Sequence, residues 1–351
     1  MDADQMLQDY QRRIEPGLQA FFREKIKYTE NIDHDTAHIV RSLSEFTLRK
    51  AKRLRAAFLY YGYALFAPPN DDVVHASLAM ELVQSYLLIH DDIIDRDPMR
   101  RGKPTVHVQY AAGKDEHYGN SMAVLIGNVG NSYAVDILTE AASRFSDQQK
   151  IRAVREMNSY ILTVILGQVR DLQQQRDWMK GGPISENDIL KTIHMKSGVY
   201  TVEGPLYLGA ILAGADDREL KQLSRYAKPL GIAFQLRDDI NGLYGDEGKT
   251  GKPADSDVKQ GKCTLLMYRA LQAATPVEQA ALRAALGNQG LTAQQLDEVR
   301  DIVKRRSLDS IVAFADEQAG RAVSAIRDAP FRAEGKEFLL GIAEFIARRD
   351  H

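Results

Sequence analysis

Three carboxylates, Asp91, Asp92 and Asp95, close a run that is otherwise apolar: Leu82, Val83, Tyr86, Leu87, Leu88 and Ile89 precede them, and Ile93 and Ile94 lie between. The stretch from Met80 to Pro104 reads as a buried helix that ends in charge. Residues four apart share a helix face, so Asp91 and Asp95 point one way while Asp92 sits about 100° round the axis. Like charges so placed repel one another, and the negative end of the helix dipole adds to the repulsion. A cation must compensate. An all-oxygen cluster suits a hard ion such as Mg²⁺, which keeps several waters and is shared with substrate phosphates. Arg100 and Arg101 follow, with Pro98 placed to stop the helix and Gly102 to free the loop. An isolated acidic triplet is usually a solvated helix end; here the apolar flanks and the arginine pair argue for a site.

A second stretch repeats the order. Leu230, Ile232, Ala233, Phe234 and Leu236 lead into Asp238 and Asp239, and a basic, glycine-rich loop follows with Lys249, Lys252, Lys259 and Lys262 among Gly248, Gly251 and Gly261. If the two helices face each other, their carboxylates can hold several Mg²⁺ ions on one polyphosphate, with lysines and arginines binding the remaining charge. Lys52 and Arg55, three apart, suit one further diphosphate, with Arg55 able to contact it bidentately.

The elements that position these residues read as helices almost throughout. Leu7, Tyr10, Ile14, Leu18, Phe21 and Phe22 stripe the first segment as plain packing surface. Asn70 and Asp71 can cap the first acidic helix, and Ser146 with Gln149, Ser185 with Asp188, Thr275 with Glu278, and Thr292 with Gln295 have capping-box spacing. Alternating β-branched strands with hairpin signals are missing. The expectation is an all-α fold with loops near 96–120, 180–185 and 244–262, the last long enough for a lid or binding role. The helix around Gln168 and Asp171 (Ile161, Val164, Ile165, Leu172) is expected to be buried, and His90, beside Asp91, reads first as a packing histidine.

At 351 residues the chain allows two domains or one large helical one. A net charge of -2 gives no reason to expect nucleic acid or an anionic membrane as partner. The single cysteine, Cys263, excludes an internal disulfide and fits a reducing, cytoplasmic setting. The start Met1-Asp2-Ala3-Asp4 is unlike a signal peptide, and no apolar run approaches ~18 residues, so no transmembrane segment is expected.

Six ordered motifs, covering nearly the whole chain, resemble the trans-isoprenyl diphosphate synthases, the polyprenyl synthetase family. They are Lys52-Arg-Leu-Arg55, Asp91-Asp-Ile-Ile-Asp95 with Arg100-Arg-Gly-Lys-Pro-Thr105, Gly167-Gln-Val-Arg-Asp171, Lys196-Ser-Gly198, Phe234-Gln-Leu-Arg-Asp-Asp239, and Thr250-Gly-Lys252. The resemblance implies one helical bundle over residues 1–351 around a central cavity, a homodimer, several Mg²⁺ ions, and condensation of isopentenyl diphosphate with an allylic prenyl diphosphate. By it, Asp91, Asp92, Asp95, Asp171, Asp238 and Asp239 would serve the metal. Lys52, Arg55, Gln84 and Arg101 would bind isopentenyl diphosphate. Arg100, Lys196, Ser197, Lys252 and Lys262 would contact the allylic diphosphate, and Tyr200 and Gln235 would line the reacting centre. The C-terminal Arg348 and Arg349 read as a frayed basic tail. Tyr86 and Leu87, the fifth and fourth residues before Asp91, would floor the product channel and imply a short product, geranylgeranyl diphosphate before farnesyl.

Departures from the family pattern are Ala51 and Ala56 for Gly and Pro around the basic motif, Asn128 for an acidic residue, and Gly242 for the third aspartate of the second motif. Gly242 keeps open a second reading, a poorly active subunit that modulates a partner synthase. A di-iron bundle would need Glu-x-x-His pairs, and none of the eight histidines has Glu three residues before it.

Overall fold

The apolar stripe Leu7, Tyr10, Ile14, Leu18, Phe21 and Phe22 is buried along one face of the first helix of a computed structural model that describes residues 3–140, 145–245 and 255–347. In chain order the helices are α1 (Ala3–Ile32), α2 (His38–Leu48), α3 (Leu54–Ala64), α4 (Asp71–Asp95), α5 (Val106–Ala111), α6 (Glu116–Glu140), α7 (Asp147–Met179) and α8 (Glu186–Ile193). A π-helix, His194–Glu203, leads into α9 (Gly204–Leu212) and α10 (Asp217–Tyr244). Then come α11 (Ser256–Gln260), α12 (Leu265–Ala273), α13 (Pro276–Ala285), α14 (Ala293–Val303), a short π-helix Lys304–Leu308, α15 (Asp309–Ile326) and α16 (Ala333–Ala347). The fold is all-α, as expected. Residues 96–120 hold more order than a loop: a two-residue hairpin, β1 (Met99–Arg100) with β2 (Lys103–Pro104), and the short α5.

The expected caps form. Asn70 accepts from the Val73 amide at 3.1 Å. The boxes at Ser185/Asp188, Thr275/Glu278 and Thr292/Gln295 are reciprocal, and Ser146 and Gln149 exchange backbone-to-side-chain bonds of 2.8 and 3.3 Å. Each satisfies amides that a helix start otherwise leaves without partners.

Chain packing divides the molecule into two compact units. The first comprises residues 1–157, 205–217 and 331–338. Its axis is α4, whose Val73, Leu78, Met80, Leu82, Val83 and Ile89 are buried among α1, α2, α3 and α6. Each such side chain contributes about 1.5–3 kcal/mol on burial. Tyr61 stacks on Phe338 with ring centroids 3.8 Å apart. The second unit comprises 158–204, 218–330 and 339–351, and its core joins Trp178, Ile189, Leu236, Ile240, Leu265 and Val303. Ile161 and Val164 of α7 are buried, but Ile165 and Leu172 are exposed together with Leu162, Leu166 and Val169. The helix carries two apolar stripes, and the expectation of burial holds for only one of them. Among the described residues no helix is long and apolar enough to cross a membrane.

Candidate active site

In the first unit α4 stops at Asp95 through its own backbone. Arg96 takes a left-handed conformation (φ 55°), its amide donates to Ile93 O at 3.3 Å, and the Asp97 amide donates to Asp92 O at 3.0 Å. These paired bonds satisfy the last carbonyls and turn the chain, so the stop precedes Pro98. Asp91 and Asp95 remain partly exposed in the last turn. Asp92 points inward: its side chain is 1% exposed and accepts from Arg100 Nε at 2.5 Å. Arg100 also faces Asp97 at 3.5 Å and Asp91 at 3.7 Å. Burial opposes its charge, but these three carboxylates outweigh burial and raise its pKa. The acidic triplet thus separates into an outward pair and one inward residue that anchors Arg100.

The basic motif meets the same helix one turn and more upstream. With the Gln84 amide turned so that its oxygen faces the guanidinium groups, it accepts from Arg101 Nη2 at 3.1 Å and Arg55 Nη1 at 3.2 Å. Sequence positions 55, 84 and 101 are thereby brought to one point, and Lys52 is exposed in the turn before α3. Arg101 itself lies at φ 54°, an uncommon conformation for a residue with a side chain.

Two arginines outside the expected set hold this arrangement. Arg49 donates to the carbonyls of Arg100 at 3.1 Å and Pro104 at 3.0 Å, and to Glu45 at 2.8 Å. It ties the arginine hairpin to α2. Arg53 donates to Glu81 and Glu15, each at 2.8 Å, and to Thr47 O. Burial would lower its pKa, but Glu81 and Glu15 more than offset it. No helical repeat in the sequence marks them, because α2 ends at Leu48 and Arg53 lies beyond it in a left-handed conformation (φ 54°).

In the second unit, α7, the π-helix and α10 approach through glycine. A Cβ on Gly167 would lie 2.6 Å from Lys196 N, and one on Gly231 would lie 2.5 Å from Gly198 Cα. The close crossing brings Lys196 Nζ to 2.8 Å from Asp171 Oδ2. Ser197 and Tyr200 share the π-helix with Lys196, and Tyr200 is buried. The Gln168 Nε2 atom is buried and has no hydrogen-bond partner among the described residues, a donor left for a ligand or water.

On α10, Asp238 is partly exposed and Asp239 is buried, accepting from Gln235 Nε2 at 2.7 Å. Burial pushes the Asp239 carboxyl up to about 8, with Asp257 and Asp238 adding to the rise. Asp257 explains the missing third aspartate. A side chain at Gly242 would come within 2.8 Å of Asp257 Oδ2, so a carboxylate from α11 already reaches that space. Lys262 faces the same Asp257 at 3.2 Å. Lys252, with residues 246–254 of its loop, and the arginines at 348 and 349 lie outside the described residues, while residues 255–262 of the expected loop hold the short helix α11. Burial and Asp171 push the Cys263 thiol up to about 12, which leaves it inert. Asn128 is exposed; nothing in the structure explains its replacing an acidic residue.

Taken for their donor chemistry, the outward side chains Asp91, Asp95 and Asp238 offer carboxylate oxygen only, and among the described residues no three His, Cys, Asp or Glu gather into a metal cage. One or two carboxylates per ion, completed by water and phosphate, is how Mg²⁺ is usually held.

A family model described as polyprenyl synthetase matches residues 37–303. A geranylgeranyl diphosphate synthase of Sulfolobus acidocaldarius is 33% identical over 85% of this chain and 87% of its own length. One from Mycobacterium tuberculosis is 32% identical over 85% and 80%. Among solved structures, geranylgeranyl pyrophosphate synthase from Corynebacterium glutamicum, complexed with isoprenyl diphosphate and magnesium, superposes with a TM-score of 0.88 at 27% identity over the whole of both chains.

Proposed function

The chain belongs to the polyprenyl synthetase family, and from that we propose that it joins isopentenyl diphosphate to an allylic prenyl diphosphate, with geranylgeranyl diphosphate as the product. It is a prenyltransferase of the short-chain elongating kind. The observation that carries the reading is the meeting of Arg55 and Arg101 on Gln84, seven residues before Asp91 on one helix. Two guanidinium groups that converge about two helical turns from a pair of carboxylates are arranged to take a diphosphate on the same helix as a cation site.

On this reading the outward carboxylates of each acidic motif serve the metal. Asp91, Asp95 and Asp238, with Asp171, would hold Mg²⁺, which when bound supplies positive charge for the departing pyrophosphate. Asp92 and Asp239, both buried, position their neighbours. Lys196, Lys252 and Lys262 meet the charge that grows on the allylic diphosphate as its C–O bond breaks. Ser197, Tyr200 and Gln235 line the reacting carbon, and the apolar helix walls exclude water that would capture the allylic cation. Lys52, Arg55 and Arg101 hold isopentenyl diphosphate so that its double bond attacks that carbon. A C–C bond forms, and a proton passes to the released pyrophosphate. No side-chain nucleophile takes part.

Tyr86 and Leu87 floor the channel. Tyr86 lies five residues, about 7–8 Å of helix rise, from Asp91, and its ring is partly buried. Leu162, Ile165, Leu166, Val169 and Leu172 form an exposed apolar stripe on α7, which supports a homodimer, because such a face is rarely left to solvent.

The test is incubation of the purified protein with Mg²⁺, isopentenyl diphosphate and the dimethylallyl, geranyl or farnesyl starter, followed by sizing of the dephosphorylated products, with a chelator as control. A twenty-carbon product is expected. A fifteen-carbon limit would reassign it as a farnesyl diphosphate synthase, and no product from any starter would leave the regulatory-subunit reading.

A further inference from the structure

The contact between α4 and α6 is graded by glycine, and its levels bracket Tyr86 and His90. A Cβ on Gly130 would lie 3.2 Å from Leu82 O and 3.6 Å from Tyr86 Cβ, so the aromatic residue fits there without conflict. One turn away, a Cβ on Gly127 would lie 2.6 Å from His90 Cδ2, inside the imidazole's contact shell. The histidine ring therefore fills the hollow that Gly127 leaves. Its Nε2–H donates to Val124 O at 3.1 Å, because a carbonyl can only accept, and its ring meets that of Tyr86 edge to face with centroids 4.8 Å apart at 73°. Burial holds the His90 pKa below its ordinary value despite the Val124 bond.

We propose that His90 is a positioning residue for product length, pinning the Tyr86 ring from the side of the acidic motif while Gly127 supplies the space that keeps His90 in place. The inference rests on the reading of Tyr86 as the channel floor. His90 is next in sequence to Asp91, yet its Nε2–H bonds α6 and its ring contacts Tyr86. Tyr86 and His90 are four apart on α4, so the imidazole sits over the phenol along the helix and blocks its swing toward the acidic end. Removing that ring frees the floor to tilt, and a longer chain then fits before the channel closes.

The experiment compares product lengths from His90→Ala, Gly127→Ala, the double variant and Tyr86→Ala, each with Mg²⁺, isopentenyl diphosphate and farnesyl diphosphate, after confirming folding by circular dichroism. His90→Ala is expected to raise the ratio of longer to wild-type-length product about tenfold, the scale on which one lost packing contact alters discrimination. Gly127→Ala drives the imidazole against Tyr86 and shortens products or destabilises the fold. The double variant removes the conflict, folds, and gives the lengths of His90→Ala, a non-additive outcome that couples the two sites. A folded His90→Ala protein with wild-type product lengths, or with reduced turnover and no lengthening, overturns the proposal while lengthening in Tyr86→Ala leaves the floor standing. If Tyr86→Ala itself leaves product length unchanged, the floor reading fails and this inference falls with it.

Discussion

Arg100 and Asp92 meet at 2.5 Å with their side chains 12% and 1% exposed, so the middle carboxylate of the first acidic motif is engaged inside the protein. Removing one partner of a buried pair costs up to about 3–5 kcal/mol, with the lower end expected here because Asp97 and Asp91 still face Arg100 at 3.5 and 3.7 Å. Asp92→Ala should therefore lower the unfolding free energy by that order, read from urea melts. Asp91→Ala, on the outward side, should stay within roughly 0.5 kcal/mol of wild type while turnover collapses. Equal destabilisation by the two would mean that the motif is not divided between scaffold and site.

Arg55 should act on one substrate only. Arg55→Ala is expected to raise KM for isopentenyl diphosphate by about tenfold or more, the value of one charge-assisted contact, with KM for the allylic partner unchanged. Arg55→Lys should restore part of the loss, because a point charge cannot reproduce the planar fork. Steady-state kinetics with each substrate varied in turn decides it, and a matching rise in both KM values would count against the assignment.

Restoring the family's third aspartate should harm this protein. In Gly242→Asp the new side chain meets Asp257 Oδ2 and places another negative charge beside an Asp239 whose carboxyl already sits up at about 8. The contact is with the tip of a flexible side chain at a half-buried position, so the cost is chiefly like-charge repulsion, on the order of 1 kcal/mol, and removal of Asp257 in the same protein should return part of it. Thermal melts and turnover measure both effects. Higher turnover in Gly242→Asp would show that the glycine is a defect and not an accommodation.

Glu278 links a helix start to the basic run Arg305-Arg306. It accepts from the Thr275 amide at 2.9 Å and from Arg306 and Arg305 at 2.9 and 3.2 Å. Chiefly through the Thr275 amide, its pKa falls from 4.5 to about 2. A carboxyl depressed by folding adds stability above its unfolded pKa, and that stability is lost as pH falls through the folded value. Glu278→Gln should thus lower the melting temperature at pH 7, with the gap to wild type narrowing between about pH 4.5 and 2. A gap that stays constant with pH would remove the charge from the explanation.

What could be seen before the structure depended on how far each feature reaches along the chain. Helix starts are local, and all four capping boxes as well as the Asn70 cap are present. The acidic pair at Asp91 and Asp95 follows from the helical repeat alone. Arg53 is hidden in the sequence because Lys52 and Arg55 flank it in a basic run, and only the fold shows that it points inward to Glu15 and Glu81. The exposure of Ile165 and Leu172 on α7 was equally hidden, since a stripe facing solvent has the composition of one facing a core. Gly242 reads in the sequence as weakened metal ligation, and only the structure shows that Asp257, fifteen residues on, reaches the same place.

The π-helix that carries Lys196, Ser197 and Tyr200 constrains how the gene can change length. A π turn holds more residues than the 3.6 of an α turn, so loss of one residue between Ile193 and Gly204 has a structured refuge: the segment can rewind as ordinary α-helix. The surrounding core would survive such a deletion. Rewinding would turn the Lys196 side chain by roughly 100°, away from the Asp171 carboxylate that it meets at 2.8 Å. Deletions there should accordingly yield well-folded, inert protein, separating tolerance of the scaffold from tolerance of the chemistry within one ten-residue segment.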